Sequence, residues 1–162
     1  MRRAMLPFAR VTIIGIGLIG SSIARAVRAH MPTVRLTGYD SDSDVRATAD
    51  ALQLFDDVTD TAGAAVIDAD LVILCVPVGA MGAAAAEFAA DLPADAIVSD
   101  VGSCKAEVAR ALAEALPGAT IVPAHPVAGT ERSGPEAGFA TLFHGRWCIL
   151  TPSEDTDATA IA

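Results

Sequence analysis

Arg10-Val11-Thr12-Ile13-Ile14-Gly15-Ile16-Gly17-Leu18-Ile19-Gly20 is the stretch on which the fold turns. A short apolar, β-branched run of the kind that forms a buried strand passes directly into three glycines spaced G-x-G-x-x-G, and the glycines open an Ala-rich helical stretch. A strand before and a helix after make an otherwise weak triplet informative. Gly15 permits the tight turn, Gly17 lets backbone approach a pyrophosphate, and Gly20 lets helix and strand pack closely. The helix start, with Leu18 and Ile19, then faces the anion. A purely structural turn is the competing reading.

Outward from this point, short apolar runs alternate with longer Ala-rich ones, the pattern of βαβ units. Strands are expected at residues 10–14, 34–39, 71–76, 96–99, 120–123 and 147–150, all parallel, each apolar nearly throughout as when both sheet faces are covered. Helices are expected at 20–29, 43–52, 78–92 and 105–116, with a shorter one at 61–67. Pro77 suits a helix start, while Pro32, Pro93 and Pro117-Gly118 end the preceding helices. The expected fold class is α/β, a doubly wound parallel sheet of the Rossmann dinucleotide-binding type, in one domain over residues 1–162.

Asp40 closes the second expected strand twenty positions after Gly20, where a carboxylate accepts both hydroxyls of an adenosine ribose. A 2′-phosphate would meet that negative charge, and Ser41, Asp42, Ser43 and Asp44 supply no arginine to receive it, so NAD is the expected cofactor. The alternative is that Asp40 or Asp42 caps the next helix. Val76 and Pro77 follow the third strand at its carboxyl edge, where ligands of open parallel sheets sit. Cys75 beside them reads as a small buried hydrophobe.

Composition removes several classes of function. With 11 Lys plus Arg against 20 Asp plus Glu, the net charge of −9 leaves no basic footprint for nucleic acid. Cys75, Cys104 and Cys148 form no CxxC pair, and His30, His125 and His144 have no metal-ligand spacing; reduced thiols in the cytoplasm and no metal are expected. Arg2 and Arg3 ahead of the uncharged run 11–23 imitate a signal peptide, but Arg10 and three glycines interrupt it, and the run is shorter than the roughly 20 residues of a membrane span. No membrane partner is expected. Residues 126–146, Gly-rich and mixed in charge, form a candidate functional loop, with a plain surface loop as the alternative.

Two later motifs stand at strand ends, Ser99-Asp100-Val101-Gly102-Ser103-Cys104-Lys105 and His125-Pro126-Val127-Ala128-Gly129-Thr130-Glu131. With G-I-G-L-I-G, Asp40 and Val76-Pro77-Val78, in this order and along the whole chain, they resemble the prephenate and arogenate dehydrogenase family. The resemblance implies NAD-dependent oxidative decarboxylation of prephenate to 4-hydroxyphenylpyruvate, in tyrosine biosynthesis. A hydride leaves the ring carbon bearing the hydroxyl, and carbon dioxide departs as the ring becomes aromatic.

His125 matches the family's catalytic histidine, and a neutral imidazole is a natural acceptor of a hydroxyl proton near pH 7. Ser103 matches a serine that bonds near the substrate hydroxyl and the nicotinamide, and it also stands where it could cap the helix from Lys105. Thr130 and Glu131 are placed by the same match beside the substrate. Lys105 and Glu131 are equally open to a plain reading as solvated charges, and Trp147 and His144 read as packing and loop residues.

The family has a second, helical domain that builds a homodimer and clamps the substrate carboxylate. It is absent here, and the chain's last residues, with Thr156 as a cap, read as a helix start. This chain is accordingly expected to be an N-terminal half, weakly active or inactive alone. Arogenate as substrate and a non-catalytic NAD-binding module are the alternatives; a β-hydroxyacid dehydrogenase would lack the His125 motif.

Overall fold

The computed structural model describes residues 8–161, so Arg2, Arg3 and Ala162 lie outside the described residues. The glycine stretch sits at the centre of the sheet. Strand β1 (Arg10–Ile14) is flanked by β2 (Arg35–Tyr39) and β4 (Leu71–Leu74), and the six parallel strands run in the order β3-β2-β1-β4-β5-β6. Here β3 is Asp57–Val58, β5 Ile97–Asp100 and β6 Thr120–Val122. This order reverses direction at β1, and the crevice between the carboxyl ends of β1 and β4 is the place where doubly wound sheets bind ligands.

Helices cover both faces. Helix α1 (Leu18–His30) starts two residues before the expected 20, which puts Gly20 inside its first turn. Helix α2 is Ser43–Ala51, capped by the Asp42 carboxylate on the amides of Asp44 and Val45, and α3 is Ala62–Val66, capped by Thr61. Asp40 is therefore not a cap. Past Pro77 the chain makes one 3₁₀ turn before α4 (Met81–Phe88), and α5 is Lys105–Ala115. One core, around Phe88, Val72, Val98, Val108 and Leu112, fills one side of the sheet; the other gathers Ile13, Ile16, Val27, Leu36 and Phe55.

Three expectations are corrected. The sixth parallel strand is the two-residue β3 at the sheet edge, too short and too polar to stand out. The apolar run 147–150 instead yields β8 (Cys148–Leu150), antiparallel to β7 (Ala124–Pro126) in a separate two-stranded sheet and exposed along its length. Trp147 beside it is 81% exposed and is no part of the core. Third, the last helix, α6 (Ala158–Ile161), has Asp157 rather than Thr156 bonded to its Thr159 amide at 2.8 Å. No helix among the described residues is long and apolar enough to cross a membrane.

Candidate functional site

The turn after β1 has the form its three glycines allow. Gly15 takes φ +96°, and a Cβ there would stand 2.8 Å from the Cys75 carbonyl carbon; at Gly20 a Cβ would stand 2.1 Å from the Gly15 carbonyl oxygen. Both are dictated by the protein itself. Gly17 differs, since a Cβ there meets nothing within 4 Å. Its bare edge faces open space, and it is the N-cap of α1 without any side-chain cap, so the first-turn amides of Leu18, Ile19 and Gly20 are free to bond an anion.

Asp40 lies across this turn. One carboxylate oxygen accepts the Ile16 amide at 2.8 Å and the other accepts the Asp42 amide at 3.0 Å. A carboxylate has about four acceptor sites, so roughly two remain for a pair of ribose hydroxyls. Beside it a cleft of about 140 Å³ is lined by Gly15, Tyr39, Asp40 and Val76 and, on the α4 side, by Ala80, Ala83, Ala84 and Glu87. Pro77 is exposed just beyond. Tyr39 donates to Glu87 at a long 3.4 Å; partial burial, then the Glu87 charge, push its phenol above the ordinary value.

Arg46 went unnoticed in the sequence, six residues beyond Asp40. Its guanidinium donates to the Asp40 and Ser41 carbonyls at 2.8 and 3.3 Å and lies 5.9 Å over the Tyr39 ring. An arginine does stand near the ribose end, turned onto backbone oxygens. Burial, then the charge of Asp100, push the Cys75 thiol far above the ordinary value, which disfavours a reactive thiolate.

The second half of the site lies at the ends of β5 and β6. Ser103 is exposed and makes no helix cap; Cys104 is the N-cap of α5 and no side chain bonds there. His125 is in the middle of β7, opposite Ile149. Among the described residues, its Nδ1 is the buried side-chain nitrogen or oxygen that lacks a hydrogen-bond partner. Leaving such an atom unpaired costs about 1–3 kcal/mol, which any hydrogen bond formed there would offset. Thr130 and Glu131 are not drawn in: both are exposed, and the Thr130 hydroxyl accepts the Arg132 amide at 3.1 Å.

Lys105 corrects the plain reading. It is no solvated charge, because its ammonium bonds the buried Asp100 carboxylate and the Ala124 carbonyl. An apolar cleft of about 330 Å³ runs beneath the β7–β8 hairpin, lined by Asp100, Ala124, Pro126, Trp147 and Leu150 among others. A larger hollow of about 550 Å³ between α5, β6 and residues 151–157 includes no candidate site residue. Size alone does not mark the site.

The family profile described as "Prephenate dehydrogenase, nucleotide-binding domain" matches residues 23–162. The chain is 52% identical over 158 residues to a cyclohexadienyl dehydrogenase of Zymomonas mobilis, covering 98% of this chain and 54% of that protein. It is 33% identical over 153 residues to a prephenate dehydrogenase of Bacillus subtilis, covering 93% of this chain and 41% of that one. Among solved structures, that of prephenate dehydrogenase from A. aeolicus in complex with hydroxyphenyl propionate and NAD+ superposes with a TM-score of 0.88 at 30% identity, over 98% of this chain and 55% of that one. The chain spans about half the length of these relatives.

Proposed function

The chain belongs to the prephenate dehydrogenase family as its nucleotide-binding domain, and on that premise we propose that it serves the NAD-dependent oxidative decarboxylation of prephenate to 4-hydroxyphenylpyruvate. The observation that carries the chemistry is the buried, unpartnered Nδ1 of His125. In the nucleotide half, the Gly15–Gly20 turn with the Leu18 and Ile19 amides takes the pyrophosphate, Asp40 the adenosine ribose, and the alanine-walled cleft with Val76 and Pro77 the adenine side. The fit is good: an uncapped helix end, a glycine edge that no protein atom fills, and a carboxylate with spare acceptor sites. Asp40 favours NAD over NADP by charge.

Bound NAD supplies the hydride acceptor. The chain's own residues do the rest. His125 takes the hydroxyl proton of the substrate as the carbonyl-like transition state develops, and Ser103 hydrogen-bonds the same hydroxyl so that the hydrogen on the hydroxyl-bearing carbon faces the nicotinamide. With the hydride gone from the hydroxyl-bearing carbon, the bond to the ring carboxylate supplies the electron pair that completes the aromatic ring, and carbon dioxide leaves. Thr130 and Glu131, on the exposed loop after β7, are assigned to the far side of the substrate. The activity is that of the whole enzyme, a cytoplasmic homodimer in which a helical domain clamps the substrate carboxylate.

Arogenate is the second reading, favoured by one observation: the 52% identical relative is named for the broader cyclohexadienyl class. The test is His125→Asn, with turnover assayed in a form extended through a helical domain and NAD affinity measured in the same form. Turnover of prephenate is expected to fall by roughly 100-fold or more while NAD affinity stays within about threefold. Turnover near the parent value would remove His125 from the role.

A further inference from the structure

We propose that Asp100 and Lys105 form an internal brace that sets the position of His125 relative to Ser103, which makes both of them positioning residues. The inference rests on the reading of His125 and Ser103 as the reacting pair, and it concerns what holds them together.

Asp100 ends β5 and is 1% exposed. One of its carboxylate oxygens accepts the Gly102 amide at 2.7 Å and the Lys105 ammonium; the other accepts the Ala124 amide at 3.2 Å. Lys105 also donates to the Ala124 carbonyl at 2.6 Å. Both backbone polar groups of the residue before His125, and the amide of the residue before Ser103, are thus tied to a single ion pair.

Three features indicate that the pair exists for register. A buried ion pair contributes little net stability, since desolvation cancels much of its attraction, and apolar residues of equal volume would serve a core as well. Lys105 is also the first residue of α5, the helix end where a cation is disfavoured by the macrodipole, so the location carries a cost that only a local partner offsets. And Gly102 permits the closure: a Cβ there would stand 3.1 Å from the Asp100 carboxylate and 3.0 Å from Val108.

The test uses this chain and needs no turnover. Lys105→Met and Lys105→Arg are compared with the parent by amide hydrogen exchange and by the imidazole signals of His30, His125 and His144 in an NMR spectrum. In Lys105→Met the Ala124 amide is expected to exchange at least about 30-fold faster relative to the amides of the β1–β4 ladder, as a local opening does. The His125 signal shifts or broadens while His30 and His144 stay in place. Lys105→Arg, which keeps the charge and donors on a bulkier head, falls between the parent and Lys105→Met, and NAD affinity changes by less than about threefold.

Exchange at Ala124 that rises no more than in the ladder, with an unmoved His125 signal, would overturn the brace. Should Lys105→Met fail to fold, Asp100→Asn gives up the ion pair yet keeps an acceptor, and the same two signals are read with the same criterion. Failure here leaves the proton-accepting role of His125 untouched, because that role is read by His125→Asn in turnover.

Discussion

Replacing Gly17 with alanine separates the cofactor's needs from the fold's needs. The Gly17 backbone, at φ −83°, lies outside the left-handed region that would require glycine, and the added Cβ meets no atom within 4 Å, so the packing around it tolerates alanine. Alanine is a poorer helix N-cap than glycine, a penalty of at most about 1 kcal/mol. The methyl group does, however, stand on the edge where a pyrophosphate must approach the amides of Leu18 and Ile19. Losing one charge-assisted hydrogen bond costs about 1.5–3 kcal/mol, or roughly 10- to 150-fold in affinity. Gly20→Ala is the counter-experiment: its Cβ would stand 2.1 Å from the Gly15 carbonyl oxygen, and overpacking of that kind costs about 1–3 kcal/mol or more. Thermal melts and calorimetric titration with NAD should therefore split the two, Gly17→Ala losing affinity with little loss of stability and Gly20→Ala losing stability first. A Gly17→Ala chain that melts like the parent and binds NAD within about threefold of it would refute the placement of the phosphates.

Phe88→Ala empties the middle of the larger core and should lower stability by about 3–5 kcal/mol, seen as a melting temperature roughly 6–20 °C lower. The acid limb of stability should depend on Asp70: partial burial raises its carboxyl, but hydrogen bonds from the Arg10 side chain and the Arg10 and Ala9 amides outweigh this and hold it below the ordinary range. That contribution is present above the unfolded carboxylate value of about 3.9 and disappears as the pH falls through the lower folded value, so urea midpoints of Asp70→Asn should fall less steeply than the parent's below about pH 4. A thiol reagent at neutral pH should label Cys104 and Cys148, both exposed, and leave Cys75 unlabelled until the chain is unfolded; mass spectrometry of the labelled peptides checks it.

The parts legible in the sequence were those governed by local rules. The glycine triplet, Asp40 at the end of β2, and strands with apolar residues on both faces follow from spacing and periodicity, and the structure places them accordingly. Two elements escaped because local signal was weak or misleading. Asp57–Val58 has too few residues to display a period, and it owes its existence to pairing with β2 at the edge. Trp147–Leu150 looks like a buried strand because it is apolar, but Pro123 lacks an amide and stops β6, and the chain then turns out of the sheet into β7, whose partner β8 is exposed. In the site, Arg46 has carbonyl partners only five and six residues back but no spacing rule that marks them, whereas the hold of Asp100 and Lys105 on Ala124 exists only once the tertiary fold brings β7 near. The motif around Ser103 already contained both Asp100 and Lys105, five residues apart, and a buried acid at a strand end with a lysine opening the next helix is the signal that could have pointed to them.

The most direct test of the account is a calorimetric titration of this chain with NAD and with NADP. Binding of one NAD per chain, with NADP at least about tenfold weaker and the difference narrowed in Asp40→Ala, is the predicted result. Absence of NAD binding by a folded chain, or a preference for NADP that Asp40→Ala leaves unchanged, would contradict it.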